Sequence, residues 1–132
     1  MSSVSYITKL VSPSFVAHEE DEYKLILYIN IPGLRVQNVD KKYSKRTSSN
    51  GSHEFIEFKN RSFKFTTEID DKLYSMSVAC LPGFIIPQRC SMTYEDNGCW
   101  ITLVKLKPIS WMNTIYDDLH PGLENSKGEN RL

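Results

Sequence analysis

Tyr23-Lys24-Leu25-Ile26-Leu27-Tyr28-Ile29-Asn30-Ile31 alternates strictly, with Tyr23, Leu25, Leu27, Ile29 and Ile31 in one phase and Lys24, Ile26, Tyr28 and Asn30 in the other. A helix would scatter the five apolar residues around its circumference, whereas a strand lines them on one face. Pro32-Gly33 ends the run, because proline donates nothing to a ladder and glycine suits a turn. The same period recurs downstream. Phe63 and Phe65 share a phase between Ser62 and Glu68, and Tyr74, Met76, Val78 and Cys80 alternate with Ser75, Ser77 and Ala79. Met92 and Tyr94 precede the turn former Glu95-Asp96-Asn97-Gly98, and Cys99 to Lys107 carries apolar residues in both phases, as a central strand does. Further short strands are expected at Ser12–Ala17 and Phe55–Lys59, with Asp70-Asp71 as a tight turn.

These segments predict an all-β chain, a compact antiparallel β-sandwich of about seven strands. In 132 residues there is room for one such core. The expected organisation is an N-terminal arm at 1–11, the sandwich at 12–111, and a short helix or flexible tail at 112–132. The helix is suggested by Trp111, Ile115 and Leu119 at i, i+4 and i+8. Residues 35–53 read as a long polar loop, with KKYSKRTSSNGS at 41–52.

Sixteen basic and sixteen acidic residues cancel at neutral pH, which argues against bulk phosphate-backbone binding. The charge is uneven, however. Between Arg35 and Arg61 seven basic residues face three acidic ones, a net +4 that is able to steer an acidic partner. No stretch has the length of apolar chain that crosses a bilayer, and Met1 to Leu10 lacks the apolar core of a secretion signal. Three cysteines without paired spacing point to a reducing compartment, the cytoplasm or also the nucleus.

The residues that carry chemistry are present but ungrouped. His18, His53 and His120 adjoin no ligand at metal-like spacing, and three thiols fall short of a zinc set. No nucleophile elbow occurs, and the carboxylate pairs Asp70-Asp71 and Glu95-Asp96 fall in turns. The expectation is a chain that is not an enzyme and takes no cofactor or metal. Phe55, Phe58, Lys59, Arg61, Phe63, Lys64 and Phe65 interleave rings with cations, which suits either a stacking platform for RNA or an alternating sandwich core.

EDEYKLILYINIPGL (Glu20–Leu34), NRSFKF (Asn60–Phe65), KLYSMSVACL (Lys72–Leu81) and WITLVKLKPISW (Trp100–Trp111) together resemble the CS domain family, β-sandwiches related to small heat-shock proteins and found in co-chaperones and adaptors. The likeness spans about Ser12 to Trp111, and the stretch 35–53 is longer than the usual family connection. It implies a monomeric protein-interaction domain, with the ninety-kilodalton heat-shock chaperone or a ubiquitin-ligase scaffold as partner and no membrane. The candidate contacts are Lys41, Lys42, Lys45 and Arg46 in the long loop, Lys64, Lys105 and Lys107 on strands, and Trp111, with Tyr28 beside them; for Trp111 and Tyr28 packing is the favoured role, Trp111 covering an open end of the core. The alternative is an RNA-associated assembly factor using the basic 35–61 region.

Overall fold

The computed structural model describes residues 9–40, 45–48 and 50–114, with backbone alone for 37–40 and 45–48. In chain order the strands are β1 (Lys9–Val11), β2 (Phe15–Glu19), β3 (Lys24–Asn30), β4 (Val36–Asp40), β5 (Lys45–Ser48), β6 (Ser52–Lys59), β7 (Ser62–Ile69), β8 (Lys72–Val78), β9 (Ser91–Glu95) and β10 (Gly98–Val104). Two four-stranded sheets, β1-β8-β7-β6 and β2-β3-β10-β9, form the sandwich, and β4 and β5 pair separately. Every pairing is antiparallel except that of β1, which joins β8 in parallel.

Period-two patterning accounts for both inner faces. Leu25, Leu27 and Ile29 of β3 and Cys99, Ile101 and Leu103 of β10 are buried from one sheet. Phe63, Phe65, Thr67 and Ile69 of β7, with Tyr74, Met76 and Val78 of β8, are buried from the other. The β7–β8 turn carries positive φ at both Asp70 (50°) and Asp71 (64°), as a hairpin turn matched to the strand twist requires. As its two-phase apolar content predicts, β10 lies inside its sheet, between β3 and β9.

Several expectations need correction. Tyr23 is exposed and precedes β3, because the Asp21 carboxylate accepts from the backbone N–H groups of Tyr23 and Lys24 at 2.8 and 2.9 Å and turns the chain there. The two sheets hold eight strands, since Lys9–Val11, expected in the arm, adds an edge strand. The predicted loop at 35–53 contains the β4–β5 hairpin, and β5 lies beside β9. Two side chains fix its base, Asn50 just past β5 and Asp96 from the turn after β9: Asn50 Oδ1 accepts from Arg35 N at 3.0 Å, Asp96 Oδ1 accepts from Val36 N at 3.1 Å, and Asn50 donates to the Gly33 carbonyl. His53, expected in the long loop, lies on β6, and His18, one residue past the expected Ser12–Ala17 strand, lies on β2. At the C-terminal end a single turn closes from Thr114 N to Trp111 O at 3.0 Å, and Ile115, Leu119 and His120 lie outside the described residues.

Candidate functional site

The sequence candidates do not gather into one exposed patch. Lys41 and Lys42 lie outside the described residues, and Lys45 and Arg46 are placed only as backbone of β5. Lys64 is exposed on the outer face of β7, opposite Glu57 of β6. Lys107 is exposed just beyond β10.

Lys105 and Trp111 are buried, at 1% and 4% exposure, so Lys105 is not the exposed contact that its strand position suggested, and Trp111 covers an end of the core. The phase of β10 explains this. Ile101 and Leu103 point inward, and Lys105 continues their phase past the end of the strand. Its ammonium meets Glu19 Oε2 at 2.9 Å, donates to the Ile109 carbonyl at 2.8 Å and lies 5.4 Å from the Trp111 ring centroid. Glu19 also accepts from Ser110 Oγ and Trp111 N, each at 2.8 Å. Burial by itself pushes the Glu19 carboxyl up. The hydrogen bonds from Lys105, Trp111 and Ser110, with the Lys105 charge, outweigh burial and hold it below its ordinary value. This cluster is a clamp. It pins the segment after β10 across the end of the sandwich and seats Trp111 against the core.

The aromatic run also divides. Phe63 and Phe65 are core, Phe58 packs half-buried beside Phe63 with ring centroids 6.3 Å apart, and Phe55 is exposed. Phe58, Phe63 and Phe65 share the inner face, where the core covers them, and Phe55 stands on the outer face, so the run forms no exposed stacking platform.

What the sequence reading largely missed lies on the outer face of β2-β3-β10-β9. Val16, Tyr28, Trp100 and Thr93 stand in one row across all four strands. Val16 is 60% exposed and Trp100 38%. The Tyr28 and Trp100 rings lie 4.8 Å apart at 58°, and the indole Nε1–H donates to Glu95 Oε1 at 2.6 Å. Tyr28 lies across Gly98, where an added Cβ would collide with the phenol oxygen and come within 2.7 Å of the Ile29 carbonyl oxygen. Burial and the nearby Glu95 carboxylate both push the Tyr28 phenol up, so it stays a protonated donor. The result is a fixed aromatic ledge, and fixed rings lose little freedom when a partner covers them. The available signal was the pair of large apolar side chains, Ile26 and Tyr28, on the otherwise polar phase of β3.

Among the described residues, no group of three or more His, Cys, Asp or Glu is placed to hold a metal ion. Burial pushes the Cys99 thiol up to about 12 and raises that of Cys90, which leaves both as poor nucleophiles at neutral pH. His53 Nδ1 meets Glu68 Oε1 at 2.7 Å on β6 and β7, away from the ledge. No helix of the described residues is long and apolar enough to cross a membrane.

No protein-family model and no curated protein sequence matches the chain. Among solved structures it is similar in fold to heat shock protein 16.0 from Schizosaccharomyces pombe, at 15% identity and a TM-score of 0.48, over 76% of this chain and 92% of that one.

Proposed function

We propose that this sandwich is a protein-binding adaptor of the co-chaperone kind, which docks its partner on the Val16–Tyr28–Trp100 ledge. The observation that carries the reading is the exposed Trp100 indole, braced by Glu95 and packed at a tilt against Tyr28, with polar Thr93 and Glu95 beside it. Trp and Tyr are the residue types that dominate binding energy in protein interfaces, and they do so from a packed centre within a polar rim. The partner we favour is the ninety-kilodalton heat-shock chaperone, on the resemblance of the strand segments to CS domains. Arg61-Ser62-Phe63 and Tyr74-Ser75-Met76 add a likeness to the CS domain of calcyclin-binding protein, which makes a ubiquitin-ligase scaffold the second partner class. Unpaired Cys80, Cys90 and Cys99 fit a reducing cytoplasm or nucleus.

Calorimetry with the purified chaperone, with and without nucleotide, tests the proposal. Trp100→Ala should weaken binding by roughly 30-fold, the equivalent of about 2 kcal/mol at a hot spot. Its unfolding free energy should fall by only about 1 kcal/mol, the scale of one aromatic pair. Binding unchanged by Trp100→Ala would remove the ledge from the interface. No binding in either nucleotide state would remove this chaperone as the partner.

A further inference from the structure

A groove lies away from the ledge, at the end of the sandwich closed by the Glu19–Lys105 clamp. There the turn after β6, the loop after β8 and the segment after β10 enclose a groove of about 520 Å³. That volume is in the range of sites that bury a ligand. Its walls are tied by backbone hydrogen bonds: Leu81 N to Arg61 O at 2.8 Å, Ile85 N to Asn60 O at 2.8 Å, and Leu106 N to Phe84 O at 2.9 Å.

The apolar lining is Phe84, Leu106 and Ile109, all exposed, and the charged lining is Arg61 and Lys107 with no carboxylate. In a chain whose charges sum to zero, a groove edged only by cations has a definite sign. Arg61 is held in place by donating to the Leu81 and Pro82 carbonyls at 2.7 and 3.1 Å, and its guanidinium lies 5.5 Å from the Phe84 ring centroid. Lys107 has no ion-pair partner among the described residues. A further polar group opens here. Trp111 lines the groove while being almost wholly buried, and its Nε1–H has no acceptor among the described residues. Gly83 lets that nitrogen sit close, since a Cβ there would lie 3.1 Å from Nε1.

We infer that this groove binds an acidic peptide segment of a partner protein that also carries a bulky apolar side chain. The apolar side chain lies on Phe84, Leu106 and Ile109. A carboxylate sits between Arg61 and Lys107 and accepts from Trp111 Nε1–H, a charge-assisted arrangement. The site shares no residue with the ledge, so the two stand or fall separately.

The test is fluorescence polarisation of the full chain with a fluorescein-labelled peptide DDFIL, its neutral counterpart NNFIL and an unlabelled oligouridylate. DDFIL should bind at least tenfold more tightly than NNFIL, and Lys107→Glu should weaken DDFIL at least tenfold. Trp100→Ala should leave DDFIL affinity unchanged. In a nitrogen–proton spectrum the Trp111 indole peak, assigned with Trp100→Phe, should move on adding DDFIL. Equal binding of NNFIL, a stationary Trp111 peak, or no saturation up to about 1 mM peptide would overturn the inference. Displacement of DDFIL by the oligouridylate would overturn it too, and would assign the groove to phosphate.

Discussion

Glu19→Ala should cost about 3–5 kcal/mol of unfolding free energy, because it strands the Lys105 ammonium in a site where it is 1% exposed. The Ile109 carbonyl and the Trp111 ring remain as neighbours, but neither neutralises a charge. The double variant Glu19→Ala with Lys105→Met should recover much of the loss, since removing both charges leaves an apolar stem in an apolar place. Urea unfolding of the two single variants and the double gives the coupling. A loss under 1 kcal/mol for Glu19→Ala would show that the clamp holds nothing. Acid should act in the same direction. The folded Glu19 carboxyl lies below its ordinary value, so the unfolded chain takes up its proton first as pH falls. The clamp's contribution is therefore full above about pH 5 and is lost as pH drops through the folded value. A stability profile from pH 7 to 3 should be flattened in this acidic window by Glu19→Ala.

Phe65→Ala should also cost about 3–5 kcal/mol, while Phe55→Ala should stay within about 0.5 kcal/mol. The two residues sit on paired strands of one sheet, yet Phe65 is fully buried opposite Met76 and Phe55 is exposed. The contrast decides what the ring-and-cation run from Phe55 to Phe65 is for. If the rings stacked RNA bases, Phe65→Ala would lower RNA affinity at little cost in stability. As core, it lowers stability, and denaturant unfolding reads the difference.

The parts of the fold that could be read from the chain are those where one residue type repeats at one period. The runs Leu25–Ile31, Phe63–Phe65, Tyr74–Val78 and Ile101–Leu103 each state their buried face, because a one-residue slip would put the whole set in water. The β4–β5 hairpin could not be read that way. It is polar, and Asn50 and Asp96 anchor its base through contacts that only the folded chain creates. β1 is three residues long and takes its strand state from β8. The candidate surface was harder still. A lysine in a sequence suggests a charged contact, but the phase that buries Ile101 and Leu103 also buries Lys105. Val16, Tyr28 and Trp100 come from three strands and become a ledge only through the register that sets them side by side.

The two tryptophans report the inside and the outside of this sandwich separately. Acrylamide quenching of Trp111→Phe, which leaves only Trp100, should be steep, with emission shifted to the red. Quenching of Trp100→Phe, which leaves only Trp111, should be shallow, with emission to the blue. Equal quenching of the two, or the reverse order, would contradict a sandwich that seats Trp111 in its closed end and carries Trp100 on its outer face.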